Sequence, residues 1–222
     1  MNGINNMSKV DDVLSFLDRI VPNAHCELTY NSDYGFLTSV MLSAQTTDKK
    51  VNSVTDVLFN KYQTLDELSK ASLEDIENIL KPLGLYKNKA KHVLSIANDL
   101  ITRFNGKVPQ SKEELMTLSG VGNKTANVVR AEIFKIPEFP VDTHVNRICK
   151  RLGFINKEAS VEDVEKVMRN ELPQEKYIKA HHQFIHFGRY FCKAQKPNCA
   201  ECEFTDFCKY FKSNKKSKTK RG

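Results

Sequence analysis

"TLSGVGNKTANVV", residues 117–129, decides the fold. The segment leading into it, "SKEELMTL" (111–118), reads as a helix, and a second helical run follows the glycines. Two familiar phosphate loops fail here. A dinucleotide fingerprint needs a third glycine where Thr125 stands, and a strand in front of it. An NTPase phosphate loop needs glycine directly before Lys-Thr, where Asn123 stands, and again a strand. What remains is helix, glycine turn, helix. Gly120 and Gly122 allow positive φ and close approach of another backbone. The amides of such a turn, with those of the next helix start, are donors for an anion. A nucleic-acid phosphate suits them, held without any reading of sequence. A plain tight turn with glycine as helix terminator would use the same residues.

Helical patterns extend outward from this turn in both directions. Val10, Val13, Leu14, Leu17 and Ile20 recur at the spacing of one helical face. Helix starts of the Ser/Thr-x-x-acid type occur at Thr64–Glu67, Ser72–Asp75, Ser111–Glu114 and Ser160–Asp163. Gly84, Gly106, Gly120 and Gly153 punctuate the runs, and no long strand-like alternation is present. The expectation is an all-α protein of about ten helices. A faint internal echo aligns Gly84 with Gly120, so "LKPLGLYKNKAKHV" (80–93) is expected to form a second helix–turn–helix.

Composition narrows the function classes. The chain has 222 residues, 40% of them hydrophobic and thirteen of them Phe, enough for a substantial buried core. No stretch approaches the roughly 18–20 apolar residues of a membrane helix. "MNGINNMSKVDD" has no apolar signal core and carries acids early, so a cytoplasmic protein is expected. The net charge is +7, but six positive charges and no acid fall in the last twelve residues, "FKSNKKSKTKRG". That basic segment, 211–222, is expected to be a disordered tail, either solubilising or attracted to polyphosphate.

Lys124 sits where a helix begins, and a cation there is ordinarily disfavoured. An amine nucleophile must be the free base, whereas an unperturbed lysine titrates near ~10.4. A helix N-terminus combined with partial burial destabilises the ammonium, so the awkward position can prepare a nucleophile. A solvated lysine that meets phosphate is the plainer alternative. Further on, "FPVDTHVNRICKRLG" (139–153) places Asp142 as a helix N-cap, a carboxylate able to stabilise positive charge or move a proton.

Four of the six cysteines crowd together as Cys192-x6-Cys199-x2-Cys202-x5-Cys208. In a chain with no export signal this reads as metal ligation before disulfides. Four thiolates suit tetrahedral zinc or a four-iron, four-sulfur cluster. "HHQFIH" (181–186) lacks the glutamate of a metalloprotease helix, so His182 and His186 are read as core or polar-network residues. Cys26 and Cys149 are read as small buried residues.

Together, "LSGVGNKTANVV", "VDTH" and the 6-2-5 cysteine spacing resemble the endonuclease III family of helix-hairpin-helix DNA glycosylases, from about residue 10 to 210. The family usually has proline where Ser119 stands, a change in turn stiffness. The resemblance implies two all-α domains with a DNA-binding groove between them. One is a six-helix barrel with the hairpin, residues 26–136; the other is an iron–sulfur cluster domain from 1–25 and 137–210. It implies a [4Fe–4S] cluster, structural in role, on Cys192, Cys199, Cys202 and Cys208. It makes Lys124 the nucleophile at C1′ of a flipped nucleotide and Asp142 its catalytic partner. Base loss, a Schiff base and elimination of the 3′ phosphate would follow. The related adenine-mismatch glycosylases lack the hairpin lysine. "MLSAQTTD" (41–48) resembles the segment that fills the space left by the flipped base, a role falling on Gln45, and "GLY" puts a wedging residue at Leu85. Gly120, Val121 and Gly122 would meet the DNA backbone, as would Lys193 and Lys196 in the cysteine loop. The expected substrate is double-stranded DNA with oxidised pyrimidines or abasic sites, met by a monomer at the nucleoid. A non-catalytic DNA-binding scaffold is the rival from another class.

Overall fold

The computed structural model describes residues 9–219, with side chains through 214. Twelve α-helices and no strand occur among them: α1 (Lys9–Ile20), α2 (Asp33–Leu42), α3 (Asp48–Lys61), α4 (Leu65–Ser69), α5 (Leu73–Leu80), α6 (Tyr86–Phe104), α7 (Lys112–Met116), α8 (Asn123–Phe134), α9 (Thr143–Leu152), α10 (Val161–Glu171), α11 (Tyr177–His186) and α12 (Lys209–Thr219). A π-helical turn, Phe187–Phe191, continues α11, and short 3-10 turns punctuate the cysteine loop. No helix among the described residues is long and apolar enough to cross a membrane.

All four Ser/Thr-x-x-acid signals start helices. Thr64, Ser72, Ser111 and Ser160 each accept a bond from the backbone N–H three residues on. Thr64 and Ser160 form reciprocal capping boxes with Glu67 and Asp163. At Ser72 the box stays half made, because the Asp75 carboxylate turns to Lys61 and the Tyr62 hydroxyl instead. Burial of the ring, with the hydrogen bond to the Asp75 carboxylate, raises the Tyr62 phenol to about 12.

The chain divides into two compact units. One is Cys26–Ile136; the other gathers the two ends, up to His25 and from Pro137 onward. In the first, α2 is buried along nearly its whole length, so it reads apolar on all sides rather than on one stripe. α8 packs on α2 and α7, and α6 packs on α4 and α5. Helix–turn–helix units arise at both glycines of the sequence echo, α5–α6 and α7–α8. They differ in detail: at the second the positive φ falls on Gly120, at the first on Leu85, the residue after the glycine.

In the second unit, α9 packs on α11 and α12, and α1 lies on α11. Phe16, Phe187 and Phe204 meet edge-on with ring centroids 4.8–6.1 Å apart. Cys149 is fully buried, whereas Cys26 is only half-buried. His182 is buried, and His186 Nε2 sits 3.0 Å from the His25 carbonyl in a polar contact.

The expected disordered tail from residue 211 is corrected here, since α12 carries the chain as helix through Thr219. Tyr210 and Phe211 pack on the core of this unit, which the basic composition concealed. The Arg151 guanidinium covers the Tyr210 ring at 4.0 Å. Residues 220–222, also assigned to the tail, lie outside the described residues.

Candidate functional site

The glycine turn is built as a donor cradle. Gly120 has φ +77°. A Cβ there would stand 3.0–3.1 Å from the His92 ring and 3.1 Å from Met41. Gly122 is extended and exposed, with nothing near its missing Cβ, so protein packing does not demand glycine there. Open backbone on that side is what close approach by a ligand needs. Gly122 caps α8 without a side-chain bond. Among the described residues, the first-turn N–H groups of Lys124 and Thr125 therefore have no partner. Val121 is buried at 6% exposure, and its N–H is bonded to Leu118 O at 3.1 Å. It fixes the turn from beneath. The Ser119 hydroxyl, where proline is usual in the resembled family, lies 2.7 Å from His92 Nδ1. A hydrogen bond to α6 thus restrains the turn in place of a ring.

From this geometry, Gly120→Ala should strain the turn and push against His92 and Met41. The expected loss is about 1–3 kcal/mol of stability in urea unfolding, accompanied by weaker binding to an abasic duplex in fluorescence anisotropy. A variant equal to wild type in both would contradict a backbone-built cradle.

Lys124 lies in the first turn of α8, as expected, but its side chain is exposed. The partial burial foreseen for it is not present in the free protein; desolvation has to come from the ligand that covers the turn. Asp142, in the other unit, is the N-cap of α9, with Oδ1 accepting from the Val145 N–H at 2.8 Å. It is half-buried and keeps its second oxygen for other work. Positive charge gathers near it. Arg147, held by the carbonyls of Gly188 (2.8 Å) and Cys192 (3.2 Å), feels its field. Burial, opposed by the Asp142 charge, lowers the pKa of His144.

Gln45 and Leu85 are both exposed, and both sit in the left-handed region with φ 56° and 58°. Leu85 is 62% exposed, a large apolar side chain left open to solvent. Non-glycine residues pay about 1–2 kcal/mol for that conformation. Sequence reading missed Lys89, buried in the first turn of α6 with Nζ bonded to the residues either side of Gln45. A signal existed: Lys89 heads the stripe Ala90, Val93, Ile96, Ala97, Leu100, whose other members are all buried and apolar.

The four cysteines line one shared pocket, walled by Leu152, Phe187, Phe191, Pro197, Tyr210 and Phe211 among others. None forms a disulfide. No three His, Cys, Asp or Glu side chains among the described residues close on a single metal ion. Four sulfur donors around a shared apolar space fit a multi-iron cluster better than lone tetrahedral zinc, the two choices the spacing left open. Burial raises the Cys192 and Cys199 thiols and brings Cys202 to about 11. Those thiols need cationic metal to become thiolates. Arg151, which sequence reading also missed, laces the loop. It donates to the carbonyls of Lys193 (2.7 Å) and Ala194 (2.9 Å) and approaches Cys192 Sγ at 3.4 Å. Lys193 and Lys196 stand exposed between the ligating positions, Lys196 with φ 49°.

Comparison with known proteins agrees with this layout. A family model described as an HhH-GPD superfamily base excision DNA repair protein matches residues 38–174. The model of the iron–sulfur binding domain of endonuclease III matches 192–208, the span from the first to the last clustered cysteine. Endonuclease III of Bacillus subtilis (strain 168) is 41% identical over 217 residues, covering 97% of this chain and 99% of that protein. Among solved structures, a non-covalent endonuclease III–DNA complex superposes with a TM-score of 0.90 at 42% identity, covering 93% of this chain and 97% of its own. A trapped covalent endonuclease III–DNA intermediate gives 0.89 at 42% identity, with 94% and 100% covered.

Proposed function

The chain belongs to the endonuclease III family, and from that premise we propose that it excises oxidised pyrimidines such as thymine glycol from double-stranded DNA and nicks abasic sites, with Lys124 as nucleophile and Asp142 assisting. It is a bifunctional DNA glycosylase and lyase of base excision repair, and its cofactor is a [4Fe–4S] cluster. One observation carries the assignment of the site. Lys124 stands in the first turn of α8, where its own amide and that of Thr125 have no partner among the described residues, so a turn suited to a backbone phosphate also presents an amine beside it.

The chemistry then balances on this chain's own groups. Lys124 Nζ must first lose a proton, which the N-terminal field of α8 and exclusion of water by DNA both favour. Its lone pair forms the bond to C1′ of a nucleotide turned out of the helix, and the N-glycosidic pair leaves with the base. Opening of the sugar gives the Schiff base. Loss of a C2′ proton expels the 3′ phosphate as leaving group, and hydrolysis of the imine frees Lys124. Asp142 holds positive charge as it develops at the sugar and serves as a proton acceptor. Cys192, Cys199, Cys202 and Cys208 would hold the cluster, which lends folding energy to their loop and takes no part in the base chemistry. Gln45 and Leu85 enter the DNA where the nucleotide has left, and Lys193, Lys196 and the glycine turn meet phosphates. The same reading makes the protein a cytoplasmic, nucleoid-associated monomer.

The substrate assignment is tested with matched duplexes carrying thymine glycol, 8-oxoguanine opposite cytosine, or a preformed abasic site. Base release and nicking are expected at thymine glycol, nicking at the abasic site, and little at 8-oxoguanine. An intact thymine glycol strand would refute the pyrimidine assignment. Sedimentation of the free protein should give one species of monomer mass at every concentration.

A further inference from the structure

Lys89 has no part in the chemistry above, yet its surroundings are unusual. It is 4% exposed, and lysine is almost never so buried unless its ammonium is matched by acceptors. Nζ donates to the Ala44 carbonyl at 2.9 Å and to Thr46 Oγ1 at 2.7 Å. Thr46 Oγ1 in turn donates to Ala44 O at 3.3 Å, so three groups close a ring around the single residue between them, Gln45. The backbone N–H of the same lysine bonds Leu85 O at 3.1 Å. That backbone bond is the ordinary first bond of α6, while the side chain of Lys89 reaches the Gln45 loop. Gln45 and Leu85 are each non-glycine residues in the left-handed region. Such conformations persist only where the surroundings over-determine them.

We propose that Lys89 is a positioning residue whose ammonium holds the Gln45 loop preformed beside the start of α6, where Leu85 sits, as a wedge for the gap left by a flipped nucleotide. The inference rests on the insertion role given above to those two side chains. Its physical basis is the cost of ordering. Turning a nucleotide out of the stack costs a few kcal/mol, and a loop that had also to be organised on binding would add to that penalty. Fixing the loop beforehand removes the addition. Without the ammonium, the Ala44 carbonyl and Thr46 hydroxyl lose their shared donor, and the Thr46 N–H bond to Ser43 O (3.0 Å) is left to oppose relaxation of Gln45 to negative φ.

The test uses the full, cluster-loaded chain and a duplex with a tetrahydrofuran abasic analogue opposite 2-aminopurine, whose fluorescence rises when that base is unstacked. Lys89→Met should weaken the fluorescence-detected complex roughly ten- to a hundred-fold, the range for losing hydrogen bonds from a charged donor. Thr46→Val, which removes one acceptor and keeps the shape, should move it the same way by less. Borohydride trapping should fall more on an abasic duplex than on the same strand alone, where no opposite base is displaced. Combined with Gln45→Ala, Lys89→Met should cost clearly less than it does alone, because it acts through the wedge.

Full additivity in that pair would overturn the proposal, since a lysine that merely supports the fold loses the same amount in either background. So would a normal Lys89→Met signal beside a reduced Gln45→Ala signal. If Gln45→Ala and Leu85→Ala themselves leave the signal unchanged, the insertion reading is wrong and the proposal falls with it. Should Lys89→Met fail to fold, Thr46→Val decides: an unchanged signal overturns the clamp, and a sub-additive loss with Gln45→Ala supports it.

Discussion

Replacing Lys124 by alanine is expected to abolish strand nicking at abasic sites and to lower base release from thymine glycol on the order of 10^4-fold or more, the scale seen when a covalent nucleophile is removed. The argument begins with position. A lysine in the first turn of α8 works against the helix dipole and gains nothing for the fold, since its side chain is exposed. Alanine there should leave the melting temperature unchanged or slightly raised. Binding to an undamaged duplex should weaken by less than about ten-fold, because one phosphate-neutralising charge is lost at most. Lys124→Arg sharpens the prediction. It keeps the charge but stays protonated and has no amine lone pair to offer, so it should bind as wild type does and remain as inactive as alanine. Activity retained in either variant would move the nucleophile elsewhere.

The second large effect is expected at the cysteine loop. Cys202→Ala should give protein that lacks the visible absorbance of an iron–sulfur cluster and unfolds much more readily. Residues 192–208 have only two short 3-10 turns, Cys199–Glu201 and Glu203–Asp206, as structure of their own. The thiols stand around a shared apolar space, where burial opposes ionisation of Cys192, Cys199 and Cys202. For a loop of this kind, binding free energy is folding free energy, and losing it should cost ~5 kcal/mol or more in urea unfolding. The loss should spread beyond the loop, because Phe204 and Cys208 belong to the same buried cluster as Leu17 and Val145. A colourless Cys202→Ala protein of wild-type stability would contradict a structural cluster. Cys149→Ala is the control: fully buried but away from the cavity, it should keep the colour and lose only what a small core substitution costs.

What the sequence disclosed, and what it withheld, follows from the range of the forces involved. Helix caps are local, so Thr64, Ser72, Ser111 and Ser160 could all be read from a four-residue pattern. Gly120, Lys124 and Asp142 were legible for the same reason, as each is fixed by the turn or helix start that contains it. The environment of a side chain is not local. Lys124 was expected to be partly buried and stands in the open. Val121 was expected to meet the DNA backbone, and its burial could not be read from the turn alone. Lys89 looked like one of several lysines in "YKNKAKHV" and proves to be the buried one, because its acceptors come from a segment more than forty residues earlier. The helix at 209–219 was missed through composition: a basic run reads as solvated, while its first residues, Tyr210 and Phe211, are anchored by contacts from α9 that no window could reveal.

The central claim is that one amine, at the start of α8, carries the covalent chemistry. It is tested most directly by borohydride trapping on a duplex with a single thymine glycol, followed by proteolysis and mapping of the DNA-bearing peptide. The account predicts one adduct, on the peptide containing Lys124, and none from Lys124→Ala. An adduct on another residue, or no adduct with either that duplex or an abasic one, would contradict it.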